Sequence, residues 1–326
     1  MAKAKIVADT FLSFHIDYKF SIFLVDRLDN QLDYTRFANT EIIEIHSVVS
    51  GIQQLAEKYN IIELNTAVKP EIFLYLFDKN KSDIIIYLDP DLMIFDCFNE
   101  VKELFEGHNQ NVVLTPHFCS PIDDGKYPSE IDFACFGLYN LGFIAVRNTS
   151  ESTRFLNWWR ERLVKYCYVR PEQGMFTDQL WVNLAPIFFK GMYILKHLGY
   201  NVANWNLYER QLNSVNGRWH VNANDRLKFF HFSQYEYDNP YSISKFQKRH
   251  TVSERPDIKS LIDEYQKILV QNKFEEFNKS SCFYHQVYLD HASKVRSVES
   301  SFLSKVKGRL NRYICSIKRT IFYAKN

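Results

Sequence analysis

The chain has 326 residues, 46% of them hydrophobic and 16% aromatic, with 40 Lys/Arg against 38 Asp/Glu. That is enough apolar material for one large core or two modest ones, so the protein is globular, and nothing in the charge balance implies a nucleic-acid partner. The six cysteines (97, 119, 135, 167, 282 and 315) form no CxxC pair, which fits free thiols in a reduced compartment and neither a disulfide framework nor a zinc site. The chain does not open on an apolar leader, and no stretch is long enough for a spanning helix.

Residues 3–14 carry Ile6/Val7, Thr10/Phe11 and Phe14 at helical spacing, and 20–25 follow as a strand. Helices are expected over 51–59 and 70–77, the second with Pro70 in its first turn. Ile84-Ile85-Ile86-Tyr87-Leu88 then reads as a buried strand of a parallel sheet, because such strands are covered on both faces and need not alternate. Asp89-Pro90-Asp91 follows at its carboxyl end, where open α/β sheets hold ligands. Residues i and i+2 of an extended segment point the same way, and Pro90 keeps Asp89 out of helical conformation. Both carboxylates therefore project from one side. Two hard oxygen ligands suit one Mg²⁺ or Mn²⁺ that completes its shell with phosphate oxygens and water. A solvated turn is the alternative, and the apolar segment Leu92-Met93-Ile94-Phe95 on the far side argues against it.

Short strands are expected over 111–115 and 142–146. Asn148 with Glu151 forms a capping-box-like start to an amphipathic helix carrying Phe155, Trp158/Trp159, Leu163 and Tyr166. Further strands fall over 192–195 and 227–232, and 256–274 is helical with Ile258, Leu261/Ile262, Tyr265 and Ile268/Leu269 as its buried stripe. Strands alternate with helices, as in α/β folds. From 292 to the end, nine Lys/Arg face a single acid, Glu299, so the tail is about +8 and the rest of the chain about −6. Its apolar residues share one helical face, the pattern of a helix lying on an anionic membrane surface or docked on the protein's own acidic body.

Several strings in order carry a resemblance: Lys69-Pro70, Tyr87 to Asp91, Thr115-Pro116-His117, Tyr139-Asn140-Leu141-Gly142-Phe143, Thr177-Asp178-Gln179-Leu180-Trp181, Tyr200 to Leu207, and Phe230-His231-Phe232-Ser233. Over most of residues 2–250 the chain resembles the GT-A-fold nucleotide-sugar glycosyltransferases, in particular bacterial members close to glycosyltransferase family eight. The resemblance implies a Rossmann-like GT-A domain, a mixed and mostly parallel sheet flanked by helices, over 1–250. A C-terminal helical extension would follow over 251–291 and the basic tail over 292–326. It implies metal-dependent transfer of a sugar, with retention of configuration, from a nucleoside diphosphate sugar, UDP-linked in most such enzymes, to a glycan or glycolipid hydroxyl. The expected location is cytoplasmic, with the tail able to rest on the inner face of the membrane.

By the same resemblance Asp89 and Asp91 hold the metal on the donor diphosphate, Asp89 also reaching the ribose, and His231 completes the metal site. Asn140 contacts donor or acceptor sugar, Asp178 and Gln179 lie beside the anomeric carbon, and Lys69 offsets phosphate charge. Asp178 is either the nucleophile or a group that orients the sugar. Two departures stand out. Relatives follow the histidine with a glycine, lysine, proline and tryptophan pattern where this chain has Ser233-Gln234-Tyr235. Relatives also place a strand ahead of the helix that begins here at Ala2, so either coding sequence lies upstream of Met1 or the nucleotide pocket is incomplete. A haloacid-dehalogenase phosphatase also sets Asp-x-Asp after a strand, but Leu92-Met93 and the position of the motif disfavour it. A degenerate, inactive glycosyltransferase-like scaffold at the membrane is the non-enzymatic alternative.

Overall fold

The computed structural model describes residues 1–297 apart from 81, 223, 246 and 248. The chain opens with α1 (Ala2–Phe14), which buries Ala2, Ala4, Ile6, Val7, Ala8 and Phe11, while Phe14 is exposed at the helix end. Then come β1 (Ser21–Leu24) and β2 (Glu41–Glu44), paired in parallel with Ser21 opposite Glu41. Three helices follow: α2 (Ile52–Lys58), α3 (Ile61–Ala67) and α4 (Lys69–Asn80). Helix α3, not expected from the sequence, starts at a full capping box. Asn60 Oδ1 accepts the amides of Ile62 (2.9 Å) and Glu63 (3.1 Å), and Glu63 Oε2 accepts that of Asn60 (3.0 Å).

The central sheet is built from β3 (Ile84–Leu88), β5 (Val112–Pro116), β6 (Tyr139–Arg147) and β9 (Met192–Ile194), in the order β3-β6-β5-β9. Before β5 lie β4 (Leu92–Ile94) and α5 (Asn99–Gly107). Helix α6 (Glu130–Phe136) precedes β6, and after it come α7 (Ser150–Tyr166), the short hairpin β7 (Val169–Arg170) and β8 (Met175–Phe176), then α8 (Gln179–Val182) and α9 (Ala185–Phe188). The directions are mixed: β6 is antiparallel to both neighbours, and β5 is parallel to β9. Against expectation, β3 has an antiparallel neighbour and none of its five residues is fully buried, whereas Val112, Val113 and Leu114 of β5 are. The other edge of β3 opens onto a cavity. The cap of α7 also moves by one residue. Asn148 still donates its amide to Asp83 O (2.7 Å), extending the β3–β6 ladder, so Thr149 caps the helix by accepting the Ser152 amide (3.1 Å).

A smaller sheet, β10 (Val202–Ala203), β14 (Phe229–His231) and β4, lies across the site. Between β10 and β14 runs a meander of β11 (Leu212–Val215), β12 (Arg218–Val221) and β13 (Asp225–Arg226). The C-terminal helices α10 (Lys259–Gln271) and α11 (Phe274–Asn278) follow, and 283–297 is helical. Leu261, Ile262, Tyr265 and Leu269 of α10 share one apolar cluster with Ile6, Met93, Val202 and Phe230. The helical C-terminal part expected after residue 250 is present, and its helix α10 shares this core with the small sheet. Of the basic tail, all beyond 297 lies outside the described residues. Among the described residues no helix is long and apolar enough to cross a membrane, and the five cysteines there are free thiols.

Candidate functional site

Two strand pairings assemble the site. The β3–β6 register ends with Leu88 opposite Phe143, so the Asp89 amide donates to Gly142 O (2.8 Å). Immediately after the acids the chain turns into β4, whose Leu92 lies opposite His231 of β14. His231, 140 residues later in the chain, is thereby set beside Asp91. Its Nε2 stands 3.0 Å from Asp91 Oδ1 and 4.0 Å from Asp89 Oδ2, and one ligand atom from each of the three residues fits within 4.8 Å of the others. The imidazole is buried beneath, while the Asp89 and Asp91 side chains remain 28% and 20% exposed, open to an incoming ligand.

The tautomer of His231 follows from a chain of hydrogen bonds that begins at a group with no choice. The Gly142 N–H can only donate, and it donates to Asn140 Oδ1 (3.1 Å), which fixes the orientation of that amide. Asn201 Nδ2 donates to the same oxygen (3.1 Å), so Asn201 Oδ1 must accept from His231 Nδ1–H (3.1 Å). His231 Nε2 is then left facing Asp91. A neutral imidazole would set a lone pair against a carboxylate oxygen there, so this contact calls for a proton or a cation between the two atoms. Their 3.0 Å separation matches neighbouring corners of an octahedral shell with bonds of about 2.1 Å. The donor set fits a divalent metal. Burial by itself raises the Asp91 carboxyl, but the facing His231 and the charge of Lys3 hold it down to about 2.

Gly142 is held to glycine by close approach: a Cβ there would lie 2.5 Å from His231 Cε1. Tyr87 donates its hydroxyl to Asp89 Oδ1 (2.6 Å), orienting the first acid. The other side of Asp89 meets a sealed ion pair. Lys69, at the start of α4, is buried, donates to Leu141 O (3.0 Å), lies 4.4 Å from the Tyr87 ring centre, and stands 2.8 Å from Asp178 Oδ2 and 3.7 Å from Asp89 Oδ1. Burial opposes its charge, but Asp178 and Asp89 outweigh that and keep it protonated. The Asp178 carboxyl is pushed up, chiefly by burial and in part by Asp89, against the pull of Lys69. Asp178 occupies the N-cap position of α8 without making a side-chain cap bond, so helix capping does not account for it.

The structure therefore gathers Asp89, Asp91, His231, Lys69 and Asp178 around one point, with Asn140 joined to them through Gly142 and Asn201. Gln179 is placed differently. Its Nε2 donates to Phe136 O (2.7 Å) and its side chain packs under Gly137, which has φ +125°. Three residues that the sequence reading left without roles belong to the site: Asn201, His117, whose Nε2 lies 3.4 Å from Asn140 Nδ2, and Trp205, edge-on to His231 with ring centres 5.2 Å apart. Burial lowers His117 to about 3, so its ring is neutral. The Trp205 indole N–H is buried with no hydrogen-bond partner among the described residues. The one local signal for this layer is the density of amides in Asn201-Val202-Ala203-Asn204-Trp205-Asn206.

Comparison of the chain with models of known protein families finds no match. It is 28% identical to the uncharacterized protein YfnD of Bacillus subtilis over 169 residues, 51% of each chain. It is 29% identical to the uncharacterized protein YfnF of the same organism over 223 residues, 66% of this chain and 70% of that one. The chain thus spans about half the length of YfnD. Among solved structures it is similar to the galactosyltransferase LgtC in complex with donor and acceptor sugar analogs, at 15% identity and a TM-score of 0.46 over 83% of this chain and 91% of that one. It is also similar to mouse xyloside xylosyltransferase 1 in its apo form, at 12% identity and a TM-score of 0.38 over 71% of this chain and 91% of that one.

Proposed function

We propose that the protein is a GT-A-type glycosyltransferase that moves a sugar from a nucleoside diphosphate sugar, with UDP as the nucleotide, to a hydroxyl of a glycan or glycolipid. The observation that carries this reading is the convergence of Asp89, Asp91 and His231 within 4.8 Å beside the Lys69–Asp178 pair. A divalent cation held by Asp89, Asp91 and His231 would neutralise the departing diphosphate as a Lewis acid. The protein's own side chains set the rest. Asn201 and Asn140 hold His231 with Nε2 outward, and Tyr87 holds Asp89. Lys69 keeps Asp178 fixed against the acids, where a carboxylate can read sugar hydroxyls. Gln179 acts by supporting the Phe136–Gly137 turn next to it. Retention of configuration is proposed on the motif resemblance, with Asp178 orienting the sugar because its charge is already matched by Lys69. The net +8 of residues 292–326 supports peripheral contact with an anionic membrane on which a lipid-linked acceptor would lie.

Asp91→Asn tests the reading. The variant should fold, lose Mn²⁺ binding by calorimetry and lose metal-dependent hydrolysis or transfer of a UDP-sugar. A folded variant that binds and turns over like the wild type would remove the metal centre and the proposal with it.

A further inference from the structure

Helix α10 carries one hydroxyl into an otherwise apolar layer. Its buried residues are Leu261, Ile262, Tyr265 and Leu269, and they share a core cluster with Phe230 and Phe232. The Tyr265 ring is fully buried and lies flat on the Phe232 ring, with centres 3.6 Å apart and planes 2° from parallel; it meets the Tyr235 ring edge-on at 5.2 Å. A phenylalanine would fill that stack as well. Tyrosine adds a hydroxyl that is buried and has no hydrogen-bond partner among the described residues. A buried donor without an acceptor costs stability, so its presence calls for a reason.

Its place supplies one. The β4–β14 register sets Leu92 opposite His231, and one step further the Phe232 amide donates to Asp91 O (2.8 Å). The residue on which Tyr265 stacks is therefore the neighbour of Asp91 across the ladder. Burial first, and the charge of Asp91 second, push the hydroxyl well above its ordinary range, so it keeps a proton to donate. Asp91 turns Oδ1 toward His231 Nε2 at 3.0 Å, and a carboxylate has a second oxygen to accept with.

We infer that Tyr265 is a positioning residue for the metal centre: with a divalent cation held by Asp89, Asp91 and His231, its hydroxyl donates to the Asp91 oxygen that the cation leaves free and fixes the angle at which this acid meets the cation. Tyr87 does the same for Asp89, donating to its Oδ1 at 2.6 Å. Each acid then has its own phenol, one from β3 and one from α10. The inference rests on the metal reading above and extends it, because it makes the C-terminal helix part of the support of the site.

Tyr265→Phe keeps the ring stack and removes one oxygen. Calorimetric titration with Mn²⁺ and thermal melts of the full chain, each beside the wild type, read the result. Without metal the variant should melt at the wild-type temperature or above it, because the unpartnered hydroxyl is gone. It should nevertheless bind Mn²⁺ roughly tenfold more weakly, as loss of a partner just outside the ligand shell does. A ring that only packs cannot give that opposition. Equal Mn²⁺ affinity in the two proteins overturns the inference and leaves the metal centre standing. So does a variant that melts lower without metal, which would give the hydroxyl a structural partner such as a buried water. A wild type that binds no Mn²⁺ removes the metal centre itself, and this inference with it.

Discussion

The two acid-bearing halves of the site are built in opposite ways. Asp89 and Asp91 reach solvent and face the Nε2 of His231, whereas Asp178 and Lys69 are closed off from water and stand 2.8 Å apart as an ion pair. The difference teaches what each half is for. An open pair of carboxylates opposite a positioned nitrogen is an arrangement that could hold a cation. A sealed ion pair matches charge with charge, and its value lies in holding geometry and charge beside the open acids.

The largest expected effect is on the sealed half. Lys69→Met should destabilise the protein by about 3–5 kcal/mol in urea melts, because Asp178 is left buried and uncompensated while Asp89 remains nearby. Adding Asp178→Leu should recover part of that loss, since the pair is then replaced by apolar groups. A Lys69→Met variant as stable as wild type would mean that the pair is solvated and the contrast between the halves is wrong.

The open half should respond through metal affinity. Asn201 has φ +54°, so Asn201→Gly removes the side chain without backbone strain. It should weaken Mn²⁺ binding about 10–100-fold by freeing the His231 ring. Asn201→Asp keeps an acceptor for His231 Nδ1–H and should bind Mn²⁺ more tightly than the glycine variant. If the two variants bind alike, Asn201 is packing only and the hydrogen-bond chain from Gly142 does not set the tautomer.

The smallest effect concerns pH. His117 is buried neutral, its folded value lowered from 6.5 to about 3 by desolvation first and the neighbouring His231 charge as well. The unfolded chain therefore takes up the proton first as pH falls. Stability should be unaffected by this group above about pH 6.5 and should decline from there toward pH 3, with a slope that approaches about 1.4 kcal/mol per pH unit. His117→Gln should flatten that decline relative to wild type in paired melts at pH 7 and pH 4.5. Parallel curves for the two proteins would show that His117 is already solvated.

The sequence by itself determined the local events of this protein. The apolar run 84–88 ending in Asp89-Pro90-Asp91, the helices α1 and α7, and the strands β5 and β6 are each specified by periodicity and turn chemistry within a few residues. Even there, errors arose where tertiary pairing reached in: the ladder held Asn148 extended and passed the cap of α7 to Thr149, and the antiparallel course of β6 beside β3 could not be read from either strand alone. The tertiary structure decided everything that joins distant residues. Only the pairing of β14 with β4 brings His231 to Asp91, and only the packing of α4 against the turn before α8 brings Lys69 to Asp178. The orientation of His231 depends on side chains from β6, from the residue before β10 and from β14, which no local pattern connects. Periodicity records which face a residue turns inward, whereas register and crossing of strands record which partner it meets there, and the second is settled by packing of the whole chain.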